Sequence, residues 1–197
     1  DGLVNVASSG PRHDLNDEIT ISFWVKADPT DTPNWERTIT KYSGSPPVGW
    51  HIGRYSDTTD VNIRTDTVGD DGRTNQNILW TDDGVFDNTW HHVVFTLNRG
   101  TAHQYVDGVH VQEQTYQHGD GLANAGSIRI GDSQLAGSID DVAVWNRVLT
   151  DVEIGQLTAA PLEVNSIASA PTRILVSDAA PVIDSVEITQ GAAPGEV

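Results

Sequence analysis

The chain has no cysteine, only two lysines (Lys26 and Lys41) and, after Trp145, no aromatic residue. The first absence excludes a disulfide framework, a zinc–thiolate site and a cysteine nucleophile. It does not imply a reducing compartment, because bacterial surface proteins often manage without disulfides. The shortage of lysine leaves 11 basic against 28 acidic side chains, a formal charge of −17. Such a balance repels nucleic acid and anionic membrane, and it suits divalent cations, a salty exterior or plain solubility. No apolar run approaches the roughly 20 residues of a spanning helix, so membrane insertion is not expected. There is no N-x-S/T sequon, and the first residues are not expected to act as a signal peptide. The start at Asp1 rather than Met predicts a mature chain or a piece of a larger, processed protein.

What is present is alternation. Short runs with apolar residues at every second position are punctuated by Gly, Asp and Asn, the pattern of antiparallel strands joined by turns. They are "LVNVA", "EITISFWVKA", "RTITKY", "GWHIGR", "DVNIRT", "NILW", "WHHVVFTLN", "AHQYVDG" with "VHVQEQ", "SIRIG" and "SIDDVAVWN". So many short strands with no long helix predict an all-β fold of two packed sheets. In "WHHVVFTLN", Trp90, His92, Val94 and Thr96 share one side while His91, Val93, Phe95 and Leu97 share the other, so the strand is expected to be central and covered on both faces. Asp107-Gly108 is a favoured type I′ hairpin turn, and Gly100 marks another turn before it. One helix is signalled: Thr150 caps "DVEIGQLTA" and Glu153 completes a capping box, with Val152 or Ile154 and Leu157 packing on the sandwich.

The composition changes at about residue 158, where Ala and Pro become frequent. Residues 1–158 are read as one domain and 159–197 as a linker or tail with two strand-like runs, "TRILVS" and "VIDSVEIT". About 40 residues are too few for an ordinary core of their own.

"ITISFWVKAD", "TWHHVVFTLNRGTAHQYVDGVHV", "SIRIGDS" and "LAGSIDDVAVWNRVLTDVEIGQL" resemble the laminin-G-like, concanavalin A-like jelly roll, nearest the bacterial LamG-like modules related to pentraxins. The resemblance covers about residues 1–158 and implies a two-sheet antiparallel jelly-roll sandwich with one short C-terminal helix and an extended tail. It also implies a strand before "DGLVNV". Either upstream residues supply that strand, or a tail run does, from this chain or from a neighbouring copy. The fold alone does not choose a function, since it hosts lectins, glycanases, adhesion modules and structural domains.

Glycanases of this fold carry an E-x-D-x-E type motif on one strand, and no such motif occurs here, so no catalytic residues are assigned. His91 and His92 are adjacent on a strand and point to opposite faces, which prevents the pair from chelating an ion. Calcium is the cofactor the sequence suggests. It takes six to eight oxygens, and the chain has many aspartates. Strand parity places Asp140 on the side of Val142 and Val144, hence inward, where a carboxylate needs a partner. The resemblance implies that Asp140 holds a structural Ca²⁺ with the Asp1-Gly2 turn, the alternative being backbone N–H groups or an arginine. The acidic loops "DTVGDDGR" and "DDGVFDN" read as solvated turns, lacking EF-hand spacing. Sugar binding needs exposed aromatic rings for stacking. Trp35 lies in a polar loop, and Trp50, Tyr55 and Trp80 lie at strand ends, so these four are the candidate platform. Trp24, Trp90 and Trp145 fit packing positions instead.

The reading is a non-enzymatic extracellular or cell-surface recognition module for a glycan or glycoprotein, with calcium stiffening the scaffold. The rival is a self-assembling structural subunit whose tail strand completes a neighbouring copy's sandwich. A glycan-active enzyme is the remote third.

Overall fold

The computed structural model describes residues 4–6, 18–30, 37–43, 48–54, 58–66, 76–80, 84–116, 126–131, 135–159, 173–178 and 182–187. They form thirteen strands and one helix: β1 (Val4–Val6), β2 (Glu18–Ala27), β3 (Arg37–Ser43), β4 (Val48–Arg54), β5 (Val61–Asp66), β6 (Gln76–Trp80), β7 (His91–Asn98), β8 (Thr101–Val106), β9 (Val109–Thr115), β10 (Ile128–Ile130), β11 (Gly137–Trp145), α1 (Asp151–Ala159), β12 (Arg173–Asp178) and β13 (Val182–Glu187).

Two sheets carry the fold. One runs β1-β10-β3-β4-β5-β6 and the other β13-β12-β11-β2-β7-β8-β9. The apolar half of each alternating strand turns into the space between them: Ile19, Ile21, Phe23 and Val25 from β2 and Val93, Phe95 and Leu97 from β7 meet Ile39, Trp50, Ile52 and Ile63 from the opposite sheet. Strand β7 sits between β2 and β8, and residues 92–97 are buried on both sides, as its two apolar faces require. The second cover is α1, whose Ile154 and Leu157 pack with Leu149 on Val94, Tyr105 and Trp145. The helix starts at the expected capping box, with the Thr150 amide donating to Glu153 Oε2 at 2.8 Å and the Glu153 amide to Thr150 Oγ1 at 3.3 Å. Val152 is exposed, so Ile154 is the anchoring residue. Asp107 and Gly108 have φ of 51° and 78°, the left-handed pair that a type I′ turn needs.

The tail runs become β12 and β13, an antiparallel hairpin, and β12 lies parallel to β11 of its own chain. This is the single parallel pairing among the described strands, because every other ladder is antiparallel.

Strand β11 corrects one expectation. Its register on β2 runs Ile139↔Val25 and Asp140↔Trp24, then resumes at Ala143↔Ser22 and Val144↔Ile21. One extra residue therefore stands against Phe23, a β-bulge, and Asp141 takes a φ of 46° there while its amide donates to Asp140 Oδ1 at 2.8 Å. The extra residue shifts the alternation, so Ile139 and Val144 face the core while Asp140 lies on the outer side with Trp24. Asp140 is not the inward acid that uninterrupted parity predicts.

Candidate functional site

The outer side of β2 is polar by sequence: Thr20, Ser22 and Lys26 alternate with the core residues, and Trp24 stands among them. Across the sheet, Asp140, Trp24 and His92 form one row on three adjacent strands, and Ser138 pairs with Lys26 in the next. Trp24, Lys26 and Asp140 are half-buried and Ser138 is exposed. Trp90, one residue before β7 and two from His92, is 38 % exposed. An indole partly open to solvent, with an ammonium and a carboxylate in the neighbouring positions, can stack on an apolar ring face and hydrogen-bond its polar edge.

The segment carrying Trp90 is held firmly. Val85 and Phe86 are buried, the Arg54 guanidinium lies 4.5 Å over the Phe86 ring, and Arg54 also donates to the Asp28 carbonyl at 2.8 Å. The Asn88 amide bonds the Ala27 carbonyl at 2.8 Å, tying the segment to the end of β2. Thr89 donates its amide and its hydroxyl to Asp87 Oδ1, each at 2.7 Å. That hydroxyl proton is thereby used, so His91 Nε2, at 2.9 Å, must donate to the Thr89 oxygen. His91 Nδ1 faces Asp107 Oδ2 at 2.8 Å and donates as well. Burial opposes a charge on His91, but the two aspartates outweigh it and raise its pKa.

His92 is the opposite case. Thr158 Oγ1 donates to the Ile154 carbonyl at 3.2 Å, so it accepts from His92 Nδ1 at 2.7 Å, and Nε2 then accepts from the Ser22 hydroxyl at 2.8 Å. Burial pushes the His92 pKa down to about 4, and its ring lies against Trp24 with centroids 5.1 Å apart. A serine bonded to a histidine bonded to a third hydroxyl has the outline of a nucleophile relay. Ser22, however, is 2 % exposed and no substrate atom can reach it. The chain of bonds ties the last turn of α1 to the sheet and seats Trp24.

Of the residues the sequence singled out, Trp50 is fully buried in the core and offers no face to a ligand. It sits mid-ladder between β3 and β5 rather than at a strand end, and its parity with Ile52 turns it between the sheets. Trp80 pairs with Asn62 at the end of β6, which places its backbone alone. Trp35, Tyr55, Asp1 and Gly2 lie outside the described residues, as does most of the acidic stretch 66–73. Among the described residues no group of three or more His, Asp or Glu is arranged to hold a metal ion. Trp24 and Trp90, expected at packing positions, are both partly open to solvent, as is Trp145. The signal was present for Trp24: in "EITISFWVKA" it falls on the Thr-Ser-Lys side, not the Ile-Ile-Phe-Val side.

The architecture is that of a concanavalin A-like two-sheet sandwich. The chain belongs to the concanavalin A-like lectin/glucanase superfamily, whose laminin G-type model matches residues 2–155. The tail strands fall beyond that match. No curated protein matches the sequence. Solved structures with the same fold include the ligand-binding domain of botulinum neurotoxin serotype D in complex with N-acetylneuraminic acid, at 18 % identity and a TM-score of 0.58, over 79 % of this chain and 39 % of that one. The binding domain of the paraclostridial mosquitocidal protein 1 gives 16 %, 0.52, 79 % and 42 % in the same order. A heptameric SAP-like pentraxin from Limulus polyphemus gives 13 % and 0.53, over 80 % of this chain and 81 % of that one. The chain thus spans about two-fifths of the toxin binding domains. At these identities the likeness is one of fold.

Proposed function

We propose that the domain is a non-catalytic carbohydrate-recognition module of an extracellular or surface protein, and that its ligand lies on the outer side of β2 against Trp24 and Trp90. The observation that carries this reading is Trp24, half-open on the polar side of its strand with Asp140 beside it in register and Lys26 two residues on. Membership of a superfamily that includes lectins supports it, as does a sugar complex in a toxin domain of the same fold. Asp140 serves here as an acceptor for sugar hydroxyls rather than as a calcium ligand, because the bulge removes it from the core side. The net charge of −17 disfavours anionic sugars at long range, so neutral pyranosides are the ligand class.

The test is a titration of the full chain with neutral oligosaccharides and, separately, N-acetylneuraminic acid, following tryptophan emission. Saturable quenching by a neutral sugar, weakened about tenfold or more by Trp90→Ala and by Asp140→Asn at unchanged melting temperature, supports the reading. Binding that both variants leave intact, or a binder confined to the acidic sugar, would sink it.

A further inference from the structure

Strand β9 is the outer edge of the seven-stranded sheet, and it too is bulged. Its register on β8 runs His103↔Glu113 and Gln104↔Gln112, then skips Val111 to pair Tyr105↔His110. Without the extra residue, Val111 would follow Glu113 on the outer side. The bulge brings His110 there instead, beside His103 and Glu113. A bulge that re-aims one side chain in this way is a feature to be explained rather than a defect.

The result is a pair of imidazoles on adjacent strands. His103 Nδ1 and His110 Nε2 are 3.2 Å apart, whereas the ring centroids are 5.2 Å apart and the planes are inclined at 49°. Rings whose nitrogens are nearer than their centroids meet edge to edge, with the nitrogens directed at each other. Glu113 Oε2 lies 3.7 Å from the same His103 nitrogen. His110 is steadied from its other side by Tyr105, with centroids 5.0 Å apart, and the Tyr105 hydroxyl is fixed by Asp151 at 2.8 Å. Both histidines are open to solvent to some degree.

We propose that His103 and His110 form a two-nitrogen site for a borderline divalent transition ion such as Zn²⁺, Ni²⁺ or Cu²⁺, with water in the remaining positions and the Glu113 carboxylate adding charge beside it. Two imidazole nitrogens bound to one tetrahedral ion at about 2.0–2.1 Å stand roughly 3.3–3.4 Å apart. The observed separation is already close to that value, so binding asks mainly for each ring to turn until both lone pairs meet at one point off the N–N line. In the ion's absence one ring N–H is spent on the other ring's lone pair, and an ion replaces that proton with two bonds. Imidazole suits these metals, while calcium prefers an all-oxygen shell, so this site is distinct in chemistry from any calcium site the fold could carry. The strongly acidic surface raises the local cation concentration. Once bound, the ion clips edge strand β9 to β8 at the bulge. Its open positions face solvent, where an oxygen or nitrogen of a second molecule can complete them.

Isothermal titration of the metal-free full chain with Zn²⁺ and with Ni²⁺, and Cu²⁺ line-broadening in a two-dimensional NMR spectrum, test the assignment. The expected result is one equivalent bound, at least about tenfold weaker in His103→Gln and in His110→Gln and unchanged in His91→Gln. Broadening should centre on residues 102–113. An equivalent that survives both substitutions, broadening centred elsewhere, or no heat above the background of the His103→Gln/His110→Gln double variant overturns it.

Discussion

His91 and His92 are consecutive, yet their surroundings push their pKa values in opposite directions. His91 donates from both ring nitrogens, to Asp107 and Thr89, and is favoured as the cation, whereas His92 donates from one nitrogen only, accepts with the other and is buried as the neutral ring. Alternation along β7 turns one ring toward Asp107 of the β8–β9 turn and Asp87 of the Trp90 segment, and the other under the end of α1.

The two rings contribute to stability with opposite signs. Burial holds the His92 pKa at about 4 against the ordinary 6.5, so below 6.5 the unfolded chain takes up a proton that the native chain refuses. At 1.36 kcal/mol per unit, stability falls by about 3 kcal/mol as the pH drops from 6.5 to 4. His91 has a raised pKa, so its contribution is complete below 6.5 and is lost as the pH rises through the folded value. Urea unfolding between pH 4 and 8 should show the His92 slope flattened in His92→Gln. In Asp107→Asn the His91 titration, followed by NMR, should move to lower pH.

Much of the fold was legible because alternation is a local property: the bounds of β2 and the capping box at Thr150 follow from a few residues each. The site was less legible. Parity counted through "SIDDVAVW" assumes an uninterrupted ladder, and the bulge at Asp141 is a property of two strands together. Trp50 looks like a strand-end residue until its pairing partners on both sides are known. The imidazole pair on β8 and β9 was likewise invisible, because the spacing between His103 and His110 means nothing without the skipped Val111.

Trp50 and Trp90 should separate cleanly on mutation. Trp50→Ala removes a large side chain from the interface of the two sheets and should cost about 3–5 kcal/mol. Trp90→Ala, at a position already 38 % exposed, should cost less than about 1 kcal/mol. Denaturant midpoints of the two variants measure the difference, and equal losses would contradict the placement of the rings.

The pairing of β12 with Ala143–Trp145 of β11 covers one edge of that strand within the same chain. Deleting residues 160–197 uncovers those backbone groups and should make the protein self-associate, since an open edge is a template for another chain. Gel filtration over a hundredfold concentration range reads this directly. A truncated chain that stays monomeric with an unchanged melting curve would show that the tail hairpin contributes nothing to the sheet.

Two glycines should respond to alanine in opposite ways. At Gly137, the first residue of β11, an added methyl would run into the Lys26 carbonyl oxygen and come within 2.8 Å of Ala27 Cα. Both are backbone atoms of β2, so no rotamer change relieves the contact, and β11 must move away from β2 where Asp140, Trp24 and Lys26 are aligned. Gly137→Ala should cost about 1–3 kcal/mol and weaken sugar binding together with stability. At Gly155, on the exposed side of α1, the methyl meets nothing within 4 Å. Alanine is the better helix former, so Gly155→Ala should raise stability by roughly 0.5–1 kcal/mol and leave binding unchanged. Paired urea curves and sugar titrations distinguish the two, and a neutral Gly137→Ala would mean that β11 and β2 do not approach as closely as their register requires.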